Sequence, residues 1–232
     1  MKTKVVKIAL LFISIASTLV AICLLDDVVP VHFNALGEVD RWGSKYELLV
    51  LPLVLFSVQL IELFTKKFLS KEAERSTDEK VKSDALSNMK VLDMTFVGVS
   101  AFFTAMNFVF LFLTFSSMNR VENIHIDVMK IITILMGLLF VFLGYVTPKS
   151  RINGMVGLRT SWTGYNDETW RKSNRFAGYA FIIFGIFTVI FGLAFDGIIS
   201  LVATLCALFV VTIVVLVYSY RVYKTEIAKE NN

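Results

Sequence analysis

Few side chains in this 232-residue sequence can do chemistry, and those that can are scattered. His32, Asn34 and Asp40 fall within one short stretch, DDVVPVHFNALGEVDRWGSKY, residues 26–46. A histidine and an aspartate so close can act as base and acid, or supply two metal ligands. A metal site wants three or four convergent ligands, and catalysis needs a nucleophile or a second acid–base pair. Neither accompanies this set. The other histidine is His125, and both cysteines, Cys23 and Cys206, sit inside apolar runs. The sequence has no Gly-rich phosphate loop, Ser-His-Asp set, HExxH pair or CxxC pair. No metal, cofactor or enzymatic activity is therefore expected. The set reads as turn formation, hydrogen bonding within a loop, or contact with an external ligand. Pro30 and Gly37 punctuate the backbone around it. Lys45 is placed to pair with Asp40 or to meet lipid phosphate.

Glu62 and Asp93 are the acids closest to apolar sequence. An acid deep in a membrane is a functional candidate, but both fall near the ends of apolar runs, where wet interfacial placement is expected over a proton relay. With Gln59 and Asn107 they are the residues available to line a polar path. A small-solute transporter or channel is the alternative they would support.

The second polar segment is PKSRINGMVGLRTSWTGYNDETWRKSNRFAG, residues 148–178, which combines glycine turns, two tryptophans and six Lys or Arg. Asn153-Gly154 signals a turn, and Gly157 permits another. Asn166 is a helix N-cap, followed by Asp167 and Glu168 where the helix dipole favours acids. A helix is predicted from Asp167 through Trp170 and Arg175 into the next apolar run. Arg171, Lys172 and Arg175 would form an interfacial collar that fixes topology. Alternatively, Arg159, Trp162 and Trp170 would anchor a cytosolic partner, since Arg and Trp are enriched at binding hot spots.

Six apolar runs must carry these segments. The chain is 56% hydrophobic and 18% charged, with a mean hydropathy of +0.70, against about 45–50% and about 25% for soluble domains. The runs are 5–25, 47–65, 91–115, 128–147, 176–195 and 198–220. Each approaches the ~20 residues that cross ~30 Å of hydrocarbon as a helix. The first is too long for the ~7–15-residue apolar core of a cleaved signal, so a retained anchor is expected. Of the 23 Lys and Arg, 19 fall in the N-terminus, 66–90, 148–178 and the tail. Only 3 fall in the alternate loops, and that asymmetry puts both termini in the cytoplasm. The expectation is an all-α integral membrane protein with six transmembrane helices. Residues 1–65 would form a two-helix unit, 66–90 a cytoplasmic linker, and 91–232 a four-helix unit bearing the 148–178 loop. The net charge of +4 is a topology signal, not a nucleic-acid signature.

Glycines recur at intervals of seven in two runs: Gly137 and Gly144, then Gly178, Gly185 and Gly192. Residues seven apart drift only ~20° around a helix, so each set forms one stripe. Small stripes let membrane helices approach closely, which predicts that the fourth and fifth spans pack together.

Two motifs resemble a known family. The first polar stretch resembles a domain of unknown function with a P-x-H-F-N-x-x-G-x-x-D pattern, on Pro30, His32, Phe33, Asn34, Gly37 and Asp40, with Gly43 and Lys45 following. The second resembles the signature of the sporulation-delaying-protein immunity family, on Asn153, Gly157, Arg159, Thr160, Trp170, Asn174, Arg175 and Gly178. The resemblance implies a multi-pass protein of the bacterial cytoplasmic membrane that protects a cell from a secreted, membrane-active peptide toxin. It also implies a membrane signal transducer that sequesters a cytosolic transcriptional repressor. The implied partners are thus the lipid bilayer, a peptide toxin outside and a repressor inside.

Overall fold

The computed structural model describes residues 2–34, 36–118 and 127–230. His125 lies outside these residues. Six helices are long and apolar enough to cross a membrane. They are α1 (Lys2–Leu24), α2 (Val50–Arg75), α3 (Glu79–Met118), α4 (Val128–Val146), α5 (Asp167–Ala194) and α6 (Gly197–Glu230). The protein is a multi-pass membrane protein. Many large apolar side chains stay exposed on its flanks, such as Phe12, Phe64, Ile183 and Phe209, as a surface solvated by lipid requires.

The polar stretch after α1 forms an antiparallel β-ribbon, β1 (Val28–Phe33) and β2 (Val39–Ser44). In the sequence, Val31 and Phe33 alternate with His32 and Asn34, which predicts only a short extended piece here. Alternation of Val31 and Phe33 with polar neighbours exposed one strand; the partner strand, VDRWGS, has no apolar alternation to reveal it. A 3-10 helix, Lys45–Leu49, then leads into α2. Its capping box uses Ser44 and Glu47. Pro52 falls in the first turn of α2, where a missing N–H costs no helical bond.

Residues 66–90, expected as a linker, mostly continue the helices that flank them: α2 runs to Arg75, and α3 starts at Glu79. Charged helix ends therefore project beyond the apolar stretches. α3 packs against α1, α2 and α4, while α4, α5 and α6 pack on one another, with the α4–α5 interface the most extensive.

That interface runs along the glycines. A Cβ at Gly144 would lie 2.6 Å from the Gly178 carbonyl oxygen, and one at Gly185 would lie 2.6 Å from that of Gly137. Gly192 sits against Ile134. No side chain fits between the two backbones at these levels, so the helices make close contact that larger residues would block. Phe140 sits in the same interface, edge-on to Phe184 at 4.8 Å between ring centroids.

Candidate functional site

The ribbon end holds the first group of candidate residues. Asn34 closes the ribbon: its Oδ1 accepts from the N–H of Leu36 (2.9 Å) and Glu38 (3.0 Å), and its Nδ2 donates to Glu38. Gly37 has φ 82°, a left-handed conformation that favours glycine in this turn. His32 Nδ1 lies 2.6 Å from Asp40 Oδ1 across the strands, and both side chains are exposed. Pro30 is buried, and its carbonyl accepts from the Thr114 hydroxyl of α3 at 3.3 Å. Phe33 packs with Leu113 and Val128, with Phe110 edge-on at 5.9 Å. The ribbon is thus seated on α3 and the start of α4.

Lys45 departs from expectation. It pairs with Asp27 at 3.0 Å and donates to the Leu25 carbonyl, not to Asp40. The cause is the register: Ser44 pairs with Val28, which brings Lys45 beside the start of β1, while Asp40 is held near its other end by His32. Among the described residues, no group of three or more His, Cys, Asp or Glu could hold a metal.

Beneath the ribbon, a cavity of about 420 Å³ opens between β1, β2 and the adjoining parts of α2, α3 and α4. Its walls are almost wholly apolar, and His32, Arg41 and Glu47 supply its polar rim. Arg41 and Glu47 are paired at 2.9 Å.

The 148–178 segment forms the opposite end, as a folded loop. Asn153 makes an Asx turn, its Oδ1 accepting from the N–H of Met155 and Val156, each at 2.6 Å. Thr160 and Thr163 exchange side-chain and backbone hydrogen bonds, N–H to Oγ1 at 2.9 and 3.2 Å. Asn166 caps α5, accepting from Thr169 N–H at 2.8 Å. Asn174, fully buried on α5, is the hub. Its Oδ1 accepts from Leu158 N–H (2.7 Å) and the Ser150 hydroxyl (3.4 Å), while its Nδ2 donates to the Trp170 carbonyl (3.1 Å). Gly157 passes over this hub with φ 98°, and a Cβ there would lie 2.7 Å from Asn174 Oδ1.

Trp170 requires a correction as a docking anchor. It is only 3% exposed, and its indole N–H donates to the Ser150 carbonyl at 3.0 Å. It lies on the face of α5 shared by Asn174, four residues on, and that face is turned under the loop. Asn174 is likewise inaccessible to a partner. Trp162 is partly buried, donating to Ser219 of α6 at 2.9 Å and standing edge-on to Tyr220. Arg159 and Arg175 remain exposed, and Arg175 reaches Tyr179. Tyr165 donates to Glu230, so the loop also clasps the end of α6. That hydrogen bond raises the Tyr165 hydroxyl above its ordinary pKa.

Two contacts tie this loop to the first half of the chain. Asn88 Oδ1 accepts from Arg151 N–H at 2.8 Å, and Lys80 pairs with Asp167.

The main feature missed from sequence is an ion cluster joining α1, α2 and α3. Lys7 pairs with Glu62, and with Asp93 at 2.6 Å. Lys66 pairs with Glu62 at 3.0 Å and also with Asp93. Lys7 and Glu62 are 5% and 3% exposed. Wet interfacial placement therefore fails for Glu62, because Lys7 neutralises it inside the bundle. Lys7 read as a topology charge at a helix end; only its i, i+7 relation to buried Ser14 on one face of α1 hinted at an inward aim. Gln59 donates to the Lys7 carbonyl at 2.9 Å, and Asn107 bonds Ser17 and Thr18 at 3.3 and 3.2 Å. The residues expected to line a polar path thus share one seam, but they bond the helices to each other.

Residues 149–219 match the SdpI/YfhL protein family, and residues 9–56 match a domain of unknown function, DUF1648. Both stretches that carry the motif resemblance are therefore matched, in the same order. No curated protein and no solved structure gives a significant match. With six spanning-length helices and the SdpI/YfhL match, this is a multi-pass protein of the cytoplasmic membrane.

Proposed function

We propose that this protein, whose loop, α5 and most of α6 match the SdpI/YfhL family, confers immunity to a secreted, membrane-active peptide toxin. The observation that carries the reading is that match over the loop whose signature residues build a folded, buried hub around Asn174. The charge asymmetry orients the ribbon outward, toward a toxin arriving from outside, and the loop toward the cytoplasm. In this reading the protein protects by binding or masking the toxin, which requires no catalytic group. Expression in a sensitive bacterium challenged with the sporulation-delaying peptide toxin tests it. Growth at toxin concentrations that kill the parent supports the reading, and equal killing of both strains refutes it.

The same reading extends to signalling. In this proposal a toxin-bound bundle changes the presentation of Arg159 and Arg175, and a cytosolic repressor docks there. A ligand can shift such an equilibrium only through unequal affinity for the two states. The transporter alternative gains no support from Gln59, Glu62, Asp93 and Asn107, since each is engaged by a neighbouring helix.

A further inference from the structure

The cavity beneath the ribbon is an open-mouthed cleft of about 420 Å³. That lies within the ~300–1,000 Å³ range of ligand sites. Its walls include Val31, Phe33, Leu51, Val109, Leu113 and Ile132. They come from two parts of the chain. The ribbon and the start of α2 lie within the stretch matched to the domain of unknown function, and the α3 and α4 walls lie outside both matched stretches.

The rim is charge-balanced. Arg41 is matched by Glu47, and His32 by Asp40. An anionic headgroup would find its one full cation already engaged, so the rim does not favour a phospholipid. The strand that carries Arg41 pairs only with β1 among the described residues, so no described strand occupies its other edge, and such an edge can accept an extended chain. Trp42 and Leu36 are exposed on the same ribbon, where an amphipathic ligand would first meet the protein.

We propose that this cavity seats an apolar side-chain cluster of the toxin peptide, whose backbone lies along the open edge of β2. Main-chain bonds along the strand would hold the peptide, and the cavity would select its apolar side chains. The α3 and α4 walls then set which peptide fits. The assignment rests on the immunity reading and adds a location to it.

The test uses the full-length protein in sensitive cells and a biotinylated synthetic copy of the sporulation-delaying peptide. Val109→Trp fills the cavity from α3. It should reach the membrane at the parent level and lose about tenfold in the toxin concentration it withstands. A photoreactive phenylalanine analogue at position 51 should capture the biotinylated peptide, and the same analogue at position 205, exposed on α6, should not. Should Val109→Trp fail to accumulate, the position-51 capture decides alone. Full protection by an accumulated Val109→Trp overturns the site, as does capture of phospholipid instead of peptide at position 51, or equal capture at 205. If the unaltered protein gives no protection, the immunity reading itself falls and takes the site with it.

Discussion

Lys7 and Glu62 form a buried ion pair between α1 and α2, 55 residues apart in the chain, with Asp93 of α3 and Lys66 completing the cluster. Two lysines meet two carboxylates, so the cluster is neutral as a whole. Lys7→Met removes one cation and leaves an uncompensated negative charge among the helices. Breaking a buried pair in this way costs about 3–5 kcal/mol; Lys66 still reaches Glu62, which places the loss near about 3. The double variant Lys7→Met/Glu62→Leu leaves Asp93 with Lys66 and should recover most of that stability. Thermal unfolding of the purified variants in detergent checks the pattern. Equal destabilisation by the single and the double variant would contradict it.

The glycine stripe makes a second prediction. Gly185→Leu would place a Cβ 2.6 Å from the Gly137 carbonyl oxygen and the Val141 nitrogen. Both are backbone atoms, so the helices must separate rather than a side chain swing away. The expected loss is at least the ~1–3 kcal/mol typical of overpacking. Gly164→Ala is the control, because nothing lies within 4 Å of the added carbon. It should stay within about 0.5 kcal/mol of the parent. Unchanged stability of Gly185→Leu would show that α4 and α5 do not pack through these glycines.

The loop hub separates folding residues from surface residues. Trp170→Phe keeps a smaller aromatic ring but removes the indole N–H and leaves the buried Ser150 carbonyl without its donor, at a cost of at least about 1–3 kcal/mol. Gly157→Ala forces a side chain into a left-handed conformation, worth about 1–2 kcal/mol, and crowds Asn174 as well. Limited proteolysis should cut the 151–165 stretch faster in both variants. With chymotrypsin, which does not cut at arginine, Arg159→Ala should leave the cleavage rate unchanged, since that side chain is exposed. If Trp170→Phe is as protease-resistant as the parent, the loop is held by something other than this hub.

The parts legible in the sequence share a physical cause. Each spanning helix must satisfy its backbone within its own segment, so about 20 apolar residues in a row declare it without reference to any neighbour. Asn166 capping α5 is equally local, with partner and cap three residues apart. The glycine intervals were readable because a helix has a fixed period. Trp170 was misplaced as a surface anchor for the opposite reason. A tryptophan in a charged segment has the composition of a binding surface, and only the path of residues 150–158 over α5 shows that it is covered.

By itself the sequence determined six membrane helices, an uneven distribution of Lys and Arg among the segments between them, and two motifs in a recognisable order. The tertiary structure alone decided that Lys7 neutralises Glu62, that Lys45 pairs with Asp27 rather than Asp40, and that a cavity lies under the ribbon. Hydropathy, caps and helical period are set by residues a few positions apart. Ion partners and cavity walls are set by which helices meet and in what register, and their members here, such as Val31 and Ile132, lie far apart in the chain.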